Sequence, residues 1–243
     1  MRLTGAGDPR VAHLLALGGL LFFVDSLLYF FYRYVAVFGR ETAGPISYRA
    51  IAADVVLFSV FAMHHSVFAR DVLRKSITRL VGSLERSVYV WIASALFIAV
   101  CALWRPVAGV AWRVNQPVLA WCIVAAQIIG IWLTLRSASL IDVRELAGLR
   151  QVDADAQRVP TDPSTFKTRG PYGWVRHPIY SGWFLIVFGV PVMTMTRLIF
   201  AVTSSVYLLI AIPFEERSLR HSSRGAYDQY MRKVPWRLVP RLF

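Results

Sequence analysis

Long apolar segments constrain this chain more than any other feature. A helix that crosses a bilayer needs about 20 mostly apolar residues, and runs of roughly that length recur along the sequence. Lipid allows apolar side chains to face outward, so the chain is predicted to form a membrane helix bundle. The last two segments are short and predict a tight helical hairpin that spans the bilayer or stops short of it. The six segments cover residues 11–38, 51–68, 87–104, 118–135, 179–195 and 198–213.

The charge pattern agrees with a membrane protein and argues against a nucleic-acid partner. Of the 243 residues, 56% are hydrophobic and only 17% are charged, with a mean hydropathy of +0.51. The net charge of +13 comes from basic residues between the apolar segments, where they control topology. We predict one all-α domain over 1–243, a polytopic bundle of five to six transmembrane helices whose membrane part over 1–140 has four.

The basic residues also predict the orientation of the chain. With six spans, 21 of the 27 Lys and Arg residues fall on the side that holds both termini, and 6 fall on the other. Excess positive charge faces the cytoplasm, so both termini are predicted there. The two longest polar segments, 136–176 and 215–243, lie on the same side, where a soluble cosubstrate is expected to bind.

The sequence has no motif for a metal or for a common nucleotide fold. Cys101 and Cys122 lie in apolar segments and suit small core side chains rather than a disulfide or a metal site. There is no glycine-rich strand-to-helix turn and no phosphate-cradling loop. We therefore expect no Rossmann nucleotide site and no bound metal.

The stretch before the fifth apolar segment combines a turn with a helix start. The glycine and proline at 170–171 force a turn, and Pro178 suits the first turn of a helix. His177 would then sit at a helix N-terminus, where free backbone N–H groups favour a carboxylate. Tyr180 and Gly182 follow on the first turns, the glycine permitting close approach of a ligand or of another helix. The alternative is an ordinary interfacial helix start with an aromatic anchor.

Two adjacent carboxylates follow the sixth apolar segment. Glu215 and Glu216 lie at a bilayer boundary, where acidic residues are costly. They could hold a cation, or they could be solvated acids in the first turn of a helix. Tyr227 and Tyr230 lie three residues apart on one helical face and by themselves indicate packing.

Taken in order, these motifs resemble one superfamily of membrane enzymes. Gly-Pro-Tyr, Arg-His-Pro, Tyr-x-Gly, a helical hairpin, Glu-Glu, Gly-x-Tyr-x-x-Tyr and Val-Pro, all within 168–241, look like the isoprenylcysteine carboxyl and phospholipid methyltransferases. The resemblance implies S-adenosylmethionine as cosubstrate without a Rossmann domain, bound by the C-terminal part over 168–243. Carried over by position, it implicates Tyr172, Arg176, His177, Pro178, Tyr180, Gly182, Glu215 and Glu216.

The chemistry of the cosubstrate is consistent with these residues. Aromatic faces attract a sulfonium by cation–π contact, and Glu215 or Glu216 can pair with an ammonium group. The start of the fifth helix, with Arg176 beside it, is expected to hold the carboxylate.

Two upstream segments, 63–70 and 147–151, are similar to segments of bacterial methanethiol S-methyltransferases. The similarity implies a small thiol as acceptor and a bacterial inner membrane as location. It points to His64, His65 and Arg70 for catalysis and to Arg150 and Gln151 for substrate binding. A thiol must lose its proton before it attacks, and a histidine at the membrane boundary could accept that proton.

Other interpretations stay open at the level of sequence. An intramembrane histidine also serves as a helix–helix hydrogen bonder, and neighbours on a helix point about 100° apart, so only one of the pair is expected to face a site. Asp25 and Asp54 are expected to make structural polar contacts. The acceptor could be a prenylcysteine or a phospholipid. A transporter or a scaffold in contact with membrane lipids is the non-enzyme alternative, and the oligomeric state is left open.

Overall fold

The fold of this computed structural model is almost entirely helical. It describes residues 9–68, 84–141, 169–223 and 225–243. In chain order the longer elements are helices α1 (Pro9–Tyr32), α2 (Tyr48–Phe68) and α3 (Glu85–Leu103), strand β1 (Val110–Arg113), helices α4 (Pro117–Ala138) and α5 (Pro178–Phe188), strand β2 (Val192–Thr194), and helices α6 (Met195–Ser222) and α7 (Ala226–Lys233). A π-helical turn, Arg33–Val37, follows α1, and a 3₁₀ turn, Gly170–Gly173, precedes α5.

Four of the described helices are long and apolar enough to cross a membrane, namely Arg10–Val37, Glu85–Leu103, Pro117–Ala138 and Met195–Ser222. Their length and composition indicate an integral membrane protein, while the count of five to six spans stays a prediction. The fifth apolar segment forms only the 11 residues of α5, which rise about 16 Å and so cover about half of a bilayer core.

The described residues fall into two compact units that alternate along the chain. The first contains α1, α2 and α3, and α1 packs along α3. Arg33, just past α1, donates from Nε to the Cys101 carbonyl oxygen at 2.9 Å. It thereby provides a donor for one of the backbone carbonyls at the end of α3 that have no partner within the helix. Asp54 is fully buried and accepts the Arg105 backbone N–H at 2.9 Å, which is the structural contact expected for it.

The second unit contains α4 to α7 and the two short strands. β1 and β2 pair antiparallel, and they add a minimal two-stranded sheet to the mostly helical fold that the sequence predicts. Strands of four and three residues are too short to give a periodic pattern in the sequence. The contact between the β1 and β2 regions extends to the start of α6. There the Oγ1 of Thr196 accepts the Val107 backbone N–H at 2.9 Å.

α5 packs more extensively on α4 than on α6, so the predicted tight hairpin is not its main contact. Two glycines explain the preference. A Cβ on Gly182 would lie 2.2 Å from Thr134 Oγ1, and a Cβ on Gly130 would lie 2.7 Å from the Gly182 carbonyl oxygen. Small residues allow membrane helices to approach this closely.

α6 runs through Pro213 to Ser222, whereas the sequence predicted its end at the proline. A proline removes one backbone hydrogen bond, and neighbouring groups in a packed membrane helix satisfy what it frees. The consequence for function is that Glu215 and Glu216 lie inside α6, not at a helix start.

Candidate functional site

The segment before α5 has the structure that its sequence predicts. Gly170 adopts a left-handed conformation with φ +62°, which a side chain would strain, and the 3₁₀ turn begins there. His177 is the N-cap of α5, and Pro178 follows as the first helical residue. Arg176 and His177 are nevertheless buried, at 7% and 6% exposure, so this helix start is part of the protein interior.

Four residues form an ionic cluster around one buried carboxylate: Arg176, His177, Glu216 and Arg237. Glu216 Oε1 accepts from Arg176 Nε at 2.7 Å and lies 3.3 Å from His177 Nε2. Its other oxygen accepts from Nη2 and Nε of Arg237 at 3.2 and 3.3 Å. Glu216 is 4% exposed and has three basic partners. It therefore joins the start of α5 and helix α6 to the C-terminal segment, residues 234–243, which follows α7.

The C-terminal segment pairs with the backbone just before α5, where the sequence predicts a ligand carboxylate. The N–H groups of Arg176 and His177 both donate at 2.9 Å, to the carbonyls of Trp236 and Arg237 respectively. Pro178 has no N–H. Arg176 Nη1 also donates to the carbonyls of Val234 and Pro235, at 2.9 and 2.6 Å. The backbone donors of residues 176 and 177 are therefore used by the protein itself, and binding of a carboxylate at the first turn of α5 stays a prediction.

Glu215 differs from Glu216 in its surroundings. Its side chain is 44% exposed, and its Oε2 accepts from the Tyr180 hydroxyl at 2.8 Å. The same oxygen lies 3.6 Å from His177 Nδ1. The rings of His177 and Tyr180 stack with centroids 5.3 Å apart and an interplanar angle of 16°. An accessible carboxylate thus lies beside two stacked aromatic faces.

Three tyrosines support this region as neutral groups. The Tyr230 hydroxyl donates to the Tyr172 carbonyl at 2.8 Å, which ties α7 to the 3₁₀ turn. Burial raises the pKa of Tyr230 to about 12 and raises the pKa values of Tyr172 and Tyr227 as well. All three phenols therefore keep their protons at neutral pH.

Gly182 contributes packing. The space that its side chain would fill is taken by α4, so of the two predicted uses of this glycine the structure shows helix approach. Contact of Gly182 with a cosubstrate stays a prediction.

A second group of polar residues, the histidine cluster of His64, His65 and Tyr89, lies in the first unit. The Tyr89 hydroxyl is 2.7 Å from His65 Nδ1. His64 stacks on the Tyr89 ring at 5.7 Å with an interplanar angle of 11°. Both histidines therefore meet the same tyrosine of α3, although they are neighbours on α2.

Some predicted residues lie outside the part of the chain that the structure describes. These are Arg70, Arg150 and Gln151. Within the described ranges, no group of three or more His, Cys, Asp or Glu residues is arranged to hold a metal ion.

Sequence reasoning missed Arg237 and Tyr89. Arg237 contacts Glu216 from 21 residues away, and Tyr89 contacts His65 from 24 residues away. Side chains on one helix contact each other at separations of three or four residues. Both of these separations along the sequence are far longer, so no local pattern relates the partners. The Val-Pro-Trp-Arg order after α7 was the one available signal for Arg237.

Comparison with known proteins identifies the family. A model of the isoprenylcysteine carboxyl methyltransferase (ICMT) family matches residues 156–221, a range that includes Arg176, His177, Glu215 and Glu216. No solved structure matches the chain.

Relatives of known name align with most of the chain. Methanethiol S-methyltransferase of Crocosphaera subtropica is 36% identical over 79% of this chain and 75% of its own length. The protein of the same name from Mycobacterium tuberculosis is 37% identical, over 80% and 81%. Nurim of Danio rerio is more distant, at 30% identity over 73% and 68%.

The apolar helices and these relatives together support a membrane methyltransferase. The chain belongs to the isoprenylcysteine carboxyl methyltransferase family, and its similarity to the methanethiol S-methyltransferases extends beyond the segment that the family model matches.

Proposed function

We propose that the chain is an S-adenosylmethionine-dependent membrane methyltransferase that S-methylates a small thiol such as methanethiol. The observation that carries the proposal is the accessible carboxylate of Glu215 beside the stacked rings of His177 and Tyr180, in a chain whose relatives are named methanethiol S-methyltransferases.

The residues around Glu215 suit this cosubstrate. When bound, S-adenosylmethionine supplies a methyl group on a positively charged sulfonium. The Glu215 carboxylate can pair with its ammonium group, and the aromatic faces of Tyr172 and Tyr180 can attract positive charge, with His177 stacked on Tyr180. Since positioning provides much of the rate in such displacements, Arg176, Pro178 and Glu216 contribute by fixing the start of α5.

The acceptor side of the proposal relies on the histidine cluster. His65 accepts the thiol proton, because the thiolate is the nucleophile, and Tyr89 orients its ring through the 2.7 Å contact with Nδ1. His64, Arg70, Arg150 and Gln151 remain the other proposed residues for the acceptor. In this proposal the chain lies in a bacterial cell membrane with both termini in the cytoplasm, as the basic residues predict.

The test is transfer of a labelled methyl group from S-adenosylmethionine by the purified protein. Acceptors should include methanethiol, a prenylcysteine and a phospholipid. We expect the thiol to be methylated and Glu215→Gln to lose that activity. Methylation of no acceptor, together with no binding of S-adenosylmethionine, would contradict the proposal and favour a non-enzymatic role.

Carboxyl methylation of a prenylcysteine is the second candidate, because the matching family model carries that name. The two acceptors differ in how they respond to pH. A thiol ionises well above pH 7, so its rate should rise with pH, whereas a carboxyl group is already ionised at neutral pH. Turnover of prenylcysteine alone, flat above about pH 6, would favour the second candidate.

A further inference from the structure

The two arginines of the ionic cluster differ in how much of their hydrogen-bonding capacity remains. The Arg176 side chain is 5% exposed, and it donates to Glu216 and to two backbone carbonyls. Arg237 has a side chain that is 38% exposed. Both of its hydrogen bonds go to a single oxygen of Glu216, at 3.2 and 3.3 Å. A guanidinium carries its N–H groups in a rigid fork, and the Nη1 side of this fork has no acceptor among the described residues.

Part of the backbone near α5 is not available to an amino-acid carboxylate. The N–H groups of Arg176 and His177 already donate to the C-terminal segment, and Pro178 has none, so the first turn of α5 offers N–H groups only from Ile179 onward. The remaining exposed cation of the ionic cluster is Arg237, and its planar fork matches the geometry of a carboxylate.

Accessible side chains of opposite charge lie on the two sides of the ionic cluster. Glu215 is the exposed acid, and it approaches His177 Nδ1 at 3.6 Å. Through His177 and Glu216 the polar contacts continue to Arg237, the exposed base. An α-amino acid group carries one ammonium and one carboxylate, so a site with one accessible charge of each sign is complementary to it.

We propose that Arg237 binds the carboxylate of the cosubstrate's amino-acid group, while Glu215 binds its ammonium. This inference rests on the proposed function, because it concerns the same cosubstrate. Glu216 holds the Arg237 fork in place through one edge and leaves the other edge for the ligand.

The decisive experiment compares two ligands by calorimetry on the purified protein. S-adenosylmethionine carries the carboxylate, and decarboxylated S-adenosylmethionine lacks it but keeps the ammonium and the sulfonium. We expect Arg237→Gln to weaken S-adenosylmethionine binding by about tenfold or more, which corresponds to the loss of one charge-assisted pair. The same substitution should change binding of the decarboxylated ligand by less than about threefold, because that ligand has no carboxylate to lose. Glu215→Gln should weaken both ligands.

A matched control is Arg220→Gln, which removes a guanidinium that pairs with Asp228 on the surface and should change neither affinity. Arg237→Lys keeps the charge but loses the fork, so it should show an intermediate preference for the carboxylate. Equal weakening of both ligands by Arg237→Gln would show that the arginine acts only by supporting Glu216, which overturns the inference.

Two further outcomes separate this inference from the proposed function. If wild-type protein binds neither ligand, the proposed function fails. If it binds both with the same affinity, the carboxylate has no dedicated partner and only the inference fails; this second result does not depend on whether Arg237→Gln folds.

Discussion

The histidine cluster and the ionic cluster lie in different units of the described chain, and they are built differently. The ionic cluster of the second unit surrounds the buried Glu216 with Arg176, His177 and Arg237. Arg176 of this cluster also donates to two backbone carbonyls of the C-terminal segment. The histidine cluster of the first unit is aromatic, and its two histidines meet the single ring of Tyr89.

The difference indicates a division of labour. Opposite charges that are buried together stabilise a fold only while every partner is present, since a lone buried charge is strongly destabilising. A hydrogen bond between an imidazole and a phenol contributes only about 0.5–1.5 kcal/mol. We therefore expect changes in the ionic cluster to affect folding first and changes in the histidine cluster to affect turnover.

The roles proposed for the two clusters require that both face the cytoplasm, where the cosubstrate is expected and where the basic residues predict them to lie. In a variant with Cys101 and Cys122 replaced by alanine, Asn115→Cys should be labelled by an impermeant maleimide in intact cells. Ser222→Cys should be labelled only after permeabilisation. Both positions are exposed, so reactivity reports the side of the membrane. Labelling of Ser222→Cys from outside would reverse the orientation.

The largest expected effect on stability is that of Glu216→Ala. The substitution leaves the buried Arg176 guanidinium without its counter-charge, which should cost about 3–5 kcal/mol. Thermal unfolding of the purified protein measures it.

Glu215→Ala is the control from the neighbouring position. Its side chain is 44% exposed, so the stability should change by less than about 1 kcal/mol, while S-adenosylmethionine affinity should fall. Similar losses of stability in the two variants would remove the distinction between a structural and a ligand-binding carboxylate.

The sequence predicted the helices better than it predicted the partners of their polar residues. Spans such as α3 and α4 follow from apolar runs, because lipid requires length and apolar composition. Pro178 at the start of α5 follows from local backbone chemistry. The extension of α6 through Pro213 does not, because packing around the proline determines whether a helix continues.

The distinction between Glu215 and Glu216 could not be made from sequence either. The two carboxylates are adjacent and identical in type, and what separates them is that Arg176 and Arg237 both bind Glu216 in the folded chain. The position of Arg237 depends on backbone pairing between residues 176–177 and 236–237, which leaves no periodic signal. The same applies to Tyr89, whose contact with His65 joins two helices.

Turnover is the property we expect the histidine cluster to determine. His65→Ala should lower kcat for a thiol by about 10²–10⁴ and leave S-adenosylmethionine affinity unchanged. The deficit should shrink at high pH, where the thiol ionises without a base. Tyr89→Phe should lower kcat by about tenfold or less, in keeping with loss of one hydrogen bond.

His221→Ala is a control for removing an imidazole, since His221 lies exposed near the end of α6. It should leave kcat unchanged. A loss of S-adenosylmethionine affinity in His65→Ala, with kcat intact, would instead assign His65 to cosubstrate binding.

The smallest expected effect concerns the neutral hydrogen bond from Tyr230 to the Tyr172 carbonyl. Tyr230→Phe should reduce stability by about 0.5–1.5 kcal/mol at neutral pH. Burial raises the pKa of Tyr230 from 10.0 to about 12, so the unfolded chain releases this proton first as the pH rises. Its contribution is therefore complete below pH 10 and is lost between pH 10 and about 12. Unfolding of wild type and Tyr230→Phe should thus show a difference that narrows over this range, whereas Tyr48→Phe, at a residue 79% exposed, should match wild type throughout. If wild type and Tyr230→Phe were equally stable at neutral pH, Tyr230 would act through ring packing, which phenylalanine keeps, and not through its hydroxyl.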